Sequence, residues 1–498
     1  MGVIWMKLSY LICIFFIFSL FNCQASETNS LGLSTLDNST NNIVQVEESI
    51  LKIIETGGIP GLSCAVINDS ILVYEKGFGF RKKDSSLTND ENTIFNAASF
   101  SKTIFAYLVM LLNEDGLIDL DRPLRDYLDK PIADYSKYTD LSGDDRVNLI
   151  TARMVLSHST GFPNWRFLTD DGKIKLFFEP GSRFSYSGEG IHLLQMVIEK
   201  ITGKGLQELA QKRIFDPFNM YHTSYIWQDK FEENYTFPHD NYERPKKIER
   251  RLEADAAGSM QTTAGDYARF LQGLLQARGK HQVTVNEMFM PQISIKSKRM
   301  FGPDAWNDTN ENESINLSWA LGWGYFESKF GRAVLHTGHD FGAQNYTVLY
   351  IDKGIGLVLM GNSDNLESMA RQLANVIIGD IDSPFDWLGY PHFDPNRDRT
   401  PPPEPVAIKL TIEELQKFIG EYSFLEDRHL IIKLENDSLL TSDDGKEWAE
   451  LFAETENVFF MKEEDVKLIF KFDEANQVIG FNLLIEEGIE IHGGDKIK

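Results

Sequence analysis

Residues 95–112 have the sequence FNAASFSKTIFAYLVMLL, in which a short polar stretch leads into an almost unbroken apolar run. The run is long enough to predict a buried helix that begins near Ser99. Residues three apart share one face of a helix, so Lys102 can reach the Ser99 hydroxyl, and the helix start supplies positive potential for an oxyanion. Because burial disfavours a charged amine, the pattern predicts Ser99 as nucleophile and Lys102 as proton acceptor. Taken alone, it also fits a serine helix cap followed by a solvated lysine.

A second segment, residues 180–190, precedes a helical pattern over residues 191–202 and carries Tyr186 on the loop before that helix. A phenol at this place could share a proton with Ser99 and Lys102 and protonate the leaving group. The alternative is a packing aromatic ring whose hydroxyl is hydrogen-bonded.

A third segment, VLHTGHDFG at residues 334–342, is typical of an apolar strand that ends in a glycine-rich turn. Gly338 allows close approach of a ligand, and an amide on an exposed strand edge could donate to an oxyanion. His336 and His339 could suggest a metal site. However, strand side chains alternate faces, and no cluster with ligand spacing accompanies them, so we expect no metal here.

These three segments have the order and wide separation seen in the serine β-lactamase and penicillin-binding protein family, which they resemble through its marks S-x-x-K, Y-x-N and K-T-G. Further stretches resemble the class C and esterase branch of that family: LSHSTGF at residues 156–162, AAGSM and TTAGDY within residues 256–267, and LGWG at residues 321–324. The similarity covers about residues 44–385.

The resemblance implies an α+β fold: a three-layer sandwich with an antiparallel sheet and an all-helical subdomain. It also implies a covalent acyl-enzyme on Ser99, no metal and no organic cofactor. By the same carry-over, the catalytic set is Ser99, Lys102, Tyr186 and His336, and the substrate-binding set is Ser99, Thr337, Gly338 and His339. The backbone amides of Ser99 and His339 would form the oxyanion hole.

Two positions depart from the family pattern. His336 stands where lactamases usually carry a lysine, and a neutral histidine attracts a substrate carboxylate less strongly. Gly188 replaces the asparagine of Y-x-N, whose amide would hold a peptide carbonyl of the substrate. Both departures favour an esterase, amidase or D-amino-acid peptidase over a β-lactamase.

The apolar patterning divides the chain into several parts. A hydrolase domain is predicted over residues 43–385, with paired strands at residues 61–67 and 71–74 and at residues 346–351 and 356–360 forming one sheet from both ends. A flexible tether is predicted before it, over residues 26–42, because that stretch is rich in Ser, Thr and Asn. A proline-rich spacer over residues 386–407 and a small β-rich domain over residues 408–498 are predicted after it.

The first 25 residues predict export. Lys7 precedes an apolar run over residues 8–21, which has the length of a signal-peptide core and is too short to span a bilayer comfortably. Cleavage could follow Ala25 or precede Cys23, and the second alternative would add a lipid anchor at Cys23. The two alternatives together predict a protein that is exported across the inner membrane and is either periplasmic or anchored to the outer membrane. After either cut, Cys64 is the only cysteine left, so we expect it to be a buried core residue.

The composition narrows the classes of partner. With 49 basic and 74 acidic side chains, the net charge is −25, which excludes nucleic acid as an expected partner. We expect a small-molecule or peptide substrate, with the cell wall as one candidate source.

Three other functions remain as alternatives to a serine hydrolase of this kind. One is a catalytically silent lipoprotein that binds cell-wall peptides, and another is a true β-lactamase or DD-carboxypeptidase. The third is a Ser-His-Asp hydrolase that uses His158 or His339 as base, although the chain contains no G-x-S-x-G pentapeptide.

Overall fold

Two β-hairpins from opposite ends of the hydrolase domain lie side by side in its main sheet. The structure is a computed structural model that describes residues 32–424, 428–443, 445–462, 466–485 and 489–497. The elements up to residue 262 are β1 (Gly32–Ser34), β2 (Thr40–Asn42), α1 (Ile43–Gly57), β3 (Gly61–Asn68), β4 (Ile71–Gly79), β5 (Phe95–Asn96), α2 (Phe100–Glu114), α3 (Ala152–Leu156), α4 (Gly188–Thr202), α5 (Leu206–Ala210) and β6 (Gln261–Thr262). The following elements of this domain are α6 (Ala264–Leu275), α7 (Lys280–Met288), β7 (Ile293–Ser294), β8 (Ser318–Trp319), β9 (Gly324–Ser328), β10 (Gly331–Asp340), β11 (Ala343–Tyr350), β12 (Ile355–Gly361), α8 (Leu366–Ile378) and α9 (Phe385–Leu388).

The main sheet has eight antiparallel strands in the order β4-β3-β12-β11-β10-β9-β8-β7. Both predicted hairpins are therefore confirmed, and the pairing of β3 with β12 joins them into one sheet. Residues of β3 alternate between two hydrophobic clusters: Ala65 packs with α2 and α6 on one face, whereas Cys64 packs with α1 and α8 on the other. This period-2 alternation produces the three-layer sandwich that the resemblance implied.

Helix α2 is the central helix of the domain. All residues from Phe100 to Leu112 are buried, as expected for a helix that is apolar on every side. Short helices and turns between residues 115 and 292 form the helical region beside it. Cys64 is fully buried in the sheet, so its expected role as a core residue is confirmed, and burial raises the pKa of its thiol.

The C-terminal part is rich in β-structure, as predicted. After α10 (Ile412–Leu415) come β13 (Gly420–Phe424), β14 (Arg428–Glu435), β15 (Ser438–Ser442), β16 (Ala449–Ala453), β17 (Val458–Phe460), β18 (Lys467–Phe472), β19 (Val478–Ile485) and β20 (Ile489–Asp495). These strands pair antiparallel in sequence order, and a bridge between Tyr422 and Lys496 brings the first and last strands together into a nearly closed barrel. Strand β20 packs against the turn Arg166–Leu168 of the hydrolase domain, and His492 lies against Gly172.

The predicted tether over residues 26–42 is wrong from residue 32 onward. Residues 32–42 form a hairpin of β1 and β2 in which Leu33 and Leu36 are buried, and the Leu36 amide donates to the carbonyl of Ile378 at 2.9 Å. The polar composition of the stretch masked these two leucines, which bury enough apolar surface to order it. The remaining residues of the predicted tether and the predicted signal peptide lie outside the described residues.

The predicted start of the proline-rich spacer at residue 386 also needs correction. Helix α9 crosses that boundary, and Trp387, Leu388 and Tyr390 are buried against the sheet. Farther along, the Arg399 guanidinium donates to the carbonyl of Thr56 at 2.6 Å. The aromatic residues at the beginning of this segment therefore belong to the core of the hydrolase domain, because their apolar area outweighs the effect of the neighbouring prolines.

Candidate active site

Ser99 lies immediately before α2, at the end of a sharply turned segment. Its neighbour Ala98 has a left-handed backbone with φ of 45°, a conformation that a non-glycine residue adopts only when its surroundings impose it. The Asn96 side chain accepts from the Ala98 amide at 2.9 Å, and Ser101 Oγ donates to the Ala98 carbonyl at 2.6 Å. These contacts hold the half-buried Ser99 hydroxyl at the beginning of the helix.

Lys102 lies one turn further along α2 and is only 1% exposed. Its Nζ atom is 3.0 Å from Ser99 Oγ and 2.6 Å from the carbonyl oxygen of Ala257. The rings of Tyr186 and Trp165 flank the same amine, with centroids 5.0 and 5.6 Å from Nζ. The predicted contact between Ser99 and Lys102 is thus present, and the solvated alternative does not apply.

Burial also sets the protonation of this amine. It lowers the pKa of Lys102 to about 7, although the nearby Asp255 carboxylate acts in the opposite direction. Burial likewise works against ionisation of Asp255, but His192, which is hydrogen-bonded to it at 2.9 Å, and the amide of Ala257 keep the pKa of that carboxyl low. A substantial fraction of Lys102 is therefore neutral near pH 7 and able to accept a proton.

Tyr186 lies on the loop before α4, as predicted, and is buried in an aromatic cluster. Its ring centroid is 4.2 Å from that of His158 and 5.7 Å from that of Trp319. Burial raises the pKa of Tyr186 above its ordinary value, while a hydrogen-bonding interaction with Ser99 partly offsets this shift. The phenol is consequently protonated across the neutral pH range and lies beside both Ser99 and Lys102.

His336 is fully buried behind Tyr186, with 6.2 Å between the two ring centroids. Its Nδ1 atom lies 2.7 Å from the carbonyl of Thr337, whereas its Nε2 atom has no hydrogen-bond partner among the described residues. Burial, reinforced by Lys102, lowers the pKa of His336 to about 3. The His336 side chain is therefore neutral, as expected from the sequence, and it does not provide the positive charge that a lysine would supply at this position.

Thr337, Gly338 and His339 occupy the end of β10 that approaches Ser99. Strand β9 pairs with β10 only as far as Leu335, so residues 336–340 are unpaired on that side. A Cβ at Gly338 would lie 2.7 Å from the carbonyl oxygen of Ala97, so only glycine permits this close approach to the Ser99 turn. The oxyanion role of the Ser99 and His339 amides stays a prediction that this arrangement favours.

The His339 side chain points away from His336 and contacts Glu367. Its Nδ1 atom lies 2.9 Å from Glu367 Oε1, and the imidazole is 58% exposed. Burial of part of the ring opposes protonation, but the hydrogen bond to Glu367 and neighbouring carboxylates raise the pKa of His339 to about 9. This paired histidine and the buried His336 lie on opposite faces of β10.

His158 packs against Tyr186 and does not act as a general base. It accepts a hydrogen bond from the Ser187 amide at 3.1 Å through Nδ1, and burial lowers its pKa well below the ordinary value. Its ring supports Tyr186, while Ser99 has Lys102 as its polar partner. The Ser-His-Asp alternative is therefore wrong for His158, and His339 is engaged with Glu367.

Sequence reasoning missed four residues around the amine: Asn164, Trp165, His192 and Asp255. Trp165 flanks Lys102, and Asn164 accepts from the Gly188 amide through both its carbonyl and its side-chain oxygen. His192 and Asp255 form a pair beside the Ala257 carbonyl. None of them belongs to a short motif, and only the proximity of Asn164 and Trp165 to the LSHSTGF stretch could have drawn attention to them.

Comparison with known proteins extends these observations. Residues 45–378 match the protein-family model described as Beta-lactamase. Penicillin-binding protein 4* of Bacillus subtilis is 23% identical over 443 residues, which cover 81% of this chain and 88% of that protein. Lovastatin esterase of Penicillium rubens is 30% identical over 196 residues, which cover 34% of this chain and 49% of that protein. The octameric penicillin-binding protein homologue from Pyrococcus abyssi shares the fold, with a TM-score of 0.55 at 19% identity over 90% of this chain and 100% of that one.

Proposed function

The chain belongs to the β-lactamase family of serine hydrolases, and we propose that it is a secreted enzyme that hydrolyses an ester, amide or D-amino-acid peptide bond through an acyl-enzyme on Ser99. The 3.0 Å contact between Ser99 Oγ and Lys102 Nζ carries this proposal. A nucleophile needs a base within hydrogen-bond reach, and a buried lysine whose pKa is lowered to about 7 satisfies that requirement at neutral pH.

The first half-reaction acylates the enzyme. Neutral Lys102 accepts the Ser99 proton as Oγ forms a bond to the substrate carbonyl carbon, and the amides of Ser99 and His339 donate to the resulting oxyanion. When the carbonyl re-forms, the bond to the leaving group breaks. Tyr186 gives its proton to the departing alkoxide or amine and recovers one from the Lys102 ammonium.

The second half-reaction releases the acid. A water molecule gives a proton to Lys102 while its oxygen attacks the acyl ester, and Ser99 takes back a proton as its bond to the acyl group breaks. Burial raises the pKa of Tyr186, so its phenol is protonated at neutral pH. It can therefore pass a proton on and take one back, and it does not remain ionised. Ser99, Lys102 and Tyr186 return to their starting protonation states.

Secretion is the part of the proposal that rests on sequence alone. Residues 1–25 have the pattern of a signal peptide, with the two alternatives of soluble export and lipid attachment at Cys23. Among the described residues, no helix combines the length and apolar character needed to cross a membrane. Globomycin treatment and a Cys23→Ala variant, followed by detergent partitioning and intact mass, separate the two alternatives.

Active-site labelling tests the hydrolase proposal. A fluorophosphonate probe should modify the purified protein at Ser99, and Ser99→Ala should abolish both this labelling and hydrolysis of p-nitrophenyl acetate. Ser182→Ala is the matched control, because Ser182 is exposed and should leave both signals unchanged.

Peptide mapping identifies the modified residue, and a fluorescent penicillin provides a parallel probe. Labelling that persists in Ser99→Ala would contradict the nucleophile assignment. Penicillin or cell-wall peptide binding without any turnover of esters or amides would favour the silent binding protein instead. Rapid hydrolysis of a chromogenic cephalosporin would favour the β-lactamase alternative.

A further inference from the structure

The Trp165 ring fills the space beside Gly188, where the family pattern has an asparagine side chain. A Cβ on Gly188 would lie 2.3 Å from Trp165 Cη2 and 2.4 Å from Cζ3, which is closer than any real contact allows. Gly188 begins α4 and does not have a left-handed backbone, so its conformation does not require glycine. Glycine is required at position 188 because the Trp165 ring occupies the space that a side chain would need.

The segment around Trp165 is fixed on both sides of the ring. On one side, the Gly188 amide donates to the carbonyl and the side-chain oxygen of Asn164, at 3.0 and 3.1 Å. On the other side, Arg166 donates to Glu189 from its amide and its guanidinium at 2.8 to 2.9 Å. Glu189 is fully buried, so this charged contact is an anchor that water does not weaken. Trp165 is therefore preorganised.

The ring lines the space in front of the nucleophile. Its centroid lies 5.6 Å from Lys102 Nζ, which itself lies 3.0 Å from Ser99 Oγ. Trp165 is half-buried, and Phe167 stacks alongside it with 6.1 Å between ring centroids and an interplanar angle of 9°. Together they present an apolar aromatic surface next to the reacting atoms.

The end of β10 at residues 336–340, which also approaches Ser99, presents no unpaired positive charge. At residues 336–340, His336 is neutral and His339 is paired with Glu367. Asp364 adds negative charge around that pair, whereas the Asp340 carboxylate is paired with the Arg251 guanidinium at 3.1 Å. A substrate carboxylate would therefore find no unpaired cation among these residues, where a lactamase has a lysine.

We propose that Trp165 is a specificity-determining residue and that the enzyme acts on uncharged esters whose acyl group is apolar, aromatic in particular. This rests on the proposed acyl-enzyme function. The aromatic acyl group packs against Trp165 in the place where an asparagine amide would hold a peptide carbonyl. Gly188 is the residue that makes this exchange sterically possible.

The ratio of kcat/KM for p-nitrophenyl phenylacetate to that for p-nitrophenyl acetate tests the proposal. The ratio should be well above one in the unmodified enzyme and should fall about tenfold in Trp165→Ala, mainly through KM for the larger ester. Because both esters use Ser99 and Lys102, any change in the base cancels in the ratio. Trp448→Ala, which removes a tryptophan from the C-terminal domain, should leave the ratio unchanged.

Gly188→Ala provides a second route to the same ring. Its methyl group would displace Trp165 without removing any side chain, so the ratio should fall here as well. This variant decides the matter if Trp165→Ala does not fold, as judged by thermal unfolding. A chromogenic cephalosporin and D-alanine p-nitroanilide are measured in parallel and should be poor substrates.

Two kinds of result would overturn the inference. One is a ratio that stays constant in both variants, and the other is a higher kcat/KM for the cephalosporin or the D-alanine anilide than for the phenylacetyl ester. If Ser99-dependent fluorophosphonate labelling is intact in those cases, only the substrate class is wrong. If that labelling is absent from the unmodified protein, the proposed hydrolase function fails as well.

Discussion

Lys102 Nζ is closer to the backbone carbonyl of Ala257, at 2.6 Å, than to the hydroxyl that it activates. The carbonyl cannot accept a proton, so this contact positions the amine without competing for its chemical role. The Ala257 amide donates to Asp255, so the segment that positions the amine also carries the carboxylate that raises the pKa of Lys102 against the larger effect of burial.

The pH dependence of ester hydrolysis should follow Lys102. Because burial lowers the pKa of this amine to about 7, kcat/KM should rise with pH through an apparent pKa near 7 and fall as the amine is protonated below it. His336 and His158 have lowered pKa values and stay neutral there. A profile from pH 5 to 9 checks this, and a flat profile would contradict the assigned base.

Asp255→Asn should move the acidic limb of that profile to lower pH by about half a unit, because the carboxylate raises the pKa of Lys102 and the amide does not. Asparagine keeps an oxygen that can accept from the Ala257 amide. Asp126→Asn, on the surface, should leave the limb in place. A shift to higher pH in Asp255→Asn would show that the carboxylate does not stabilise the ammonium.

Lys102→Met should inactivate the enzyme and stabilise it at pH 7, because burying the amine is unfavourable for folding. The folded pKa of about 7 lies below the unfolded value of 10.5, so the penalty is fully present below pH 7 and declines as pH rises toward 10.5. We expect a gain of a few kcal/mol, roughly 1 to 3, at pH 7 and less at pH 9. Urea unfolding at both pH values measures it, and a larger gain at pH 9 would be inconsistent with this sign.

Glu189→Ala should destabilise the hydrolase domain by about 3 to 5 kcal/mol, because Arg166 would lose the carboxylate of a buried ion pair. It should also reduce the preference for aromatic esters, since Arg166 anchors the Trp165 segment. Glu208→Ala removes an exposed partner of Lys204 and should cost at most about 0.5 kcal/mol. Thermal and urea unfolding compare the two variants, and equal effects would contradict the anchoring role.

Leu36→Ala should destabilise the same domain by about 2 to 4 kcal/mol, because the side chain is fully buried in a stretch whose composition resembles a linker. Val44→Ala, at a position that is 62% exposed, should change stability by less than about 0.5 kcal/mol. If urea unfolding gave similar values for both, residues 32–42 would not contribute to the core.

The sequence by itself determined the features that depend on neighbouring residues. The two hairpins, the buried helix α2 and the one-turn spacing of Ser99 and Lys102 follow from local periodicity, which is set by backbone geometry. It also indicated that a histidine and a glycine replace family residues at positions 336 and 188.

Only the tertiary structure decided the chemical state and the shape of the site. Lys102 is neutral because of burial, and the Ala257 carbonyl that holds it comes from 155 residues away in the chain. Position 188 requires glycine because of the Trp165 ring. The polar stretch at residues 32–42 is ordered by two leucines that are buried in the core. Desolvation, electrostatic fields and steric exclusion depend on distances in space, and no local pattern in the chain encodes which distant segments will supply them.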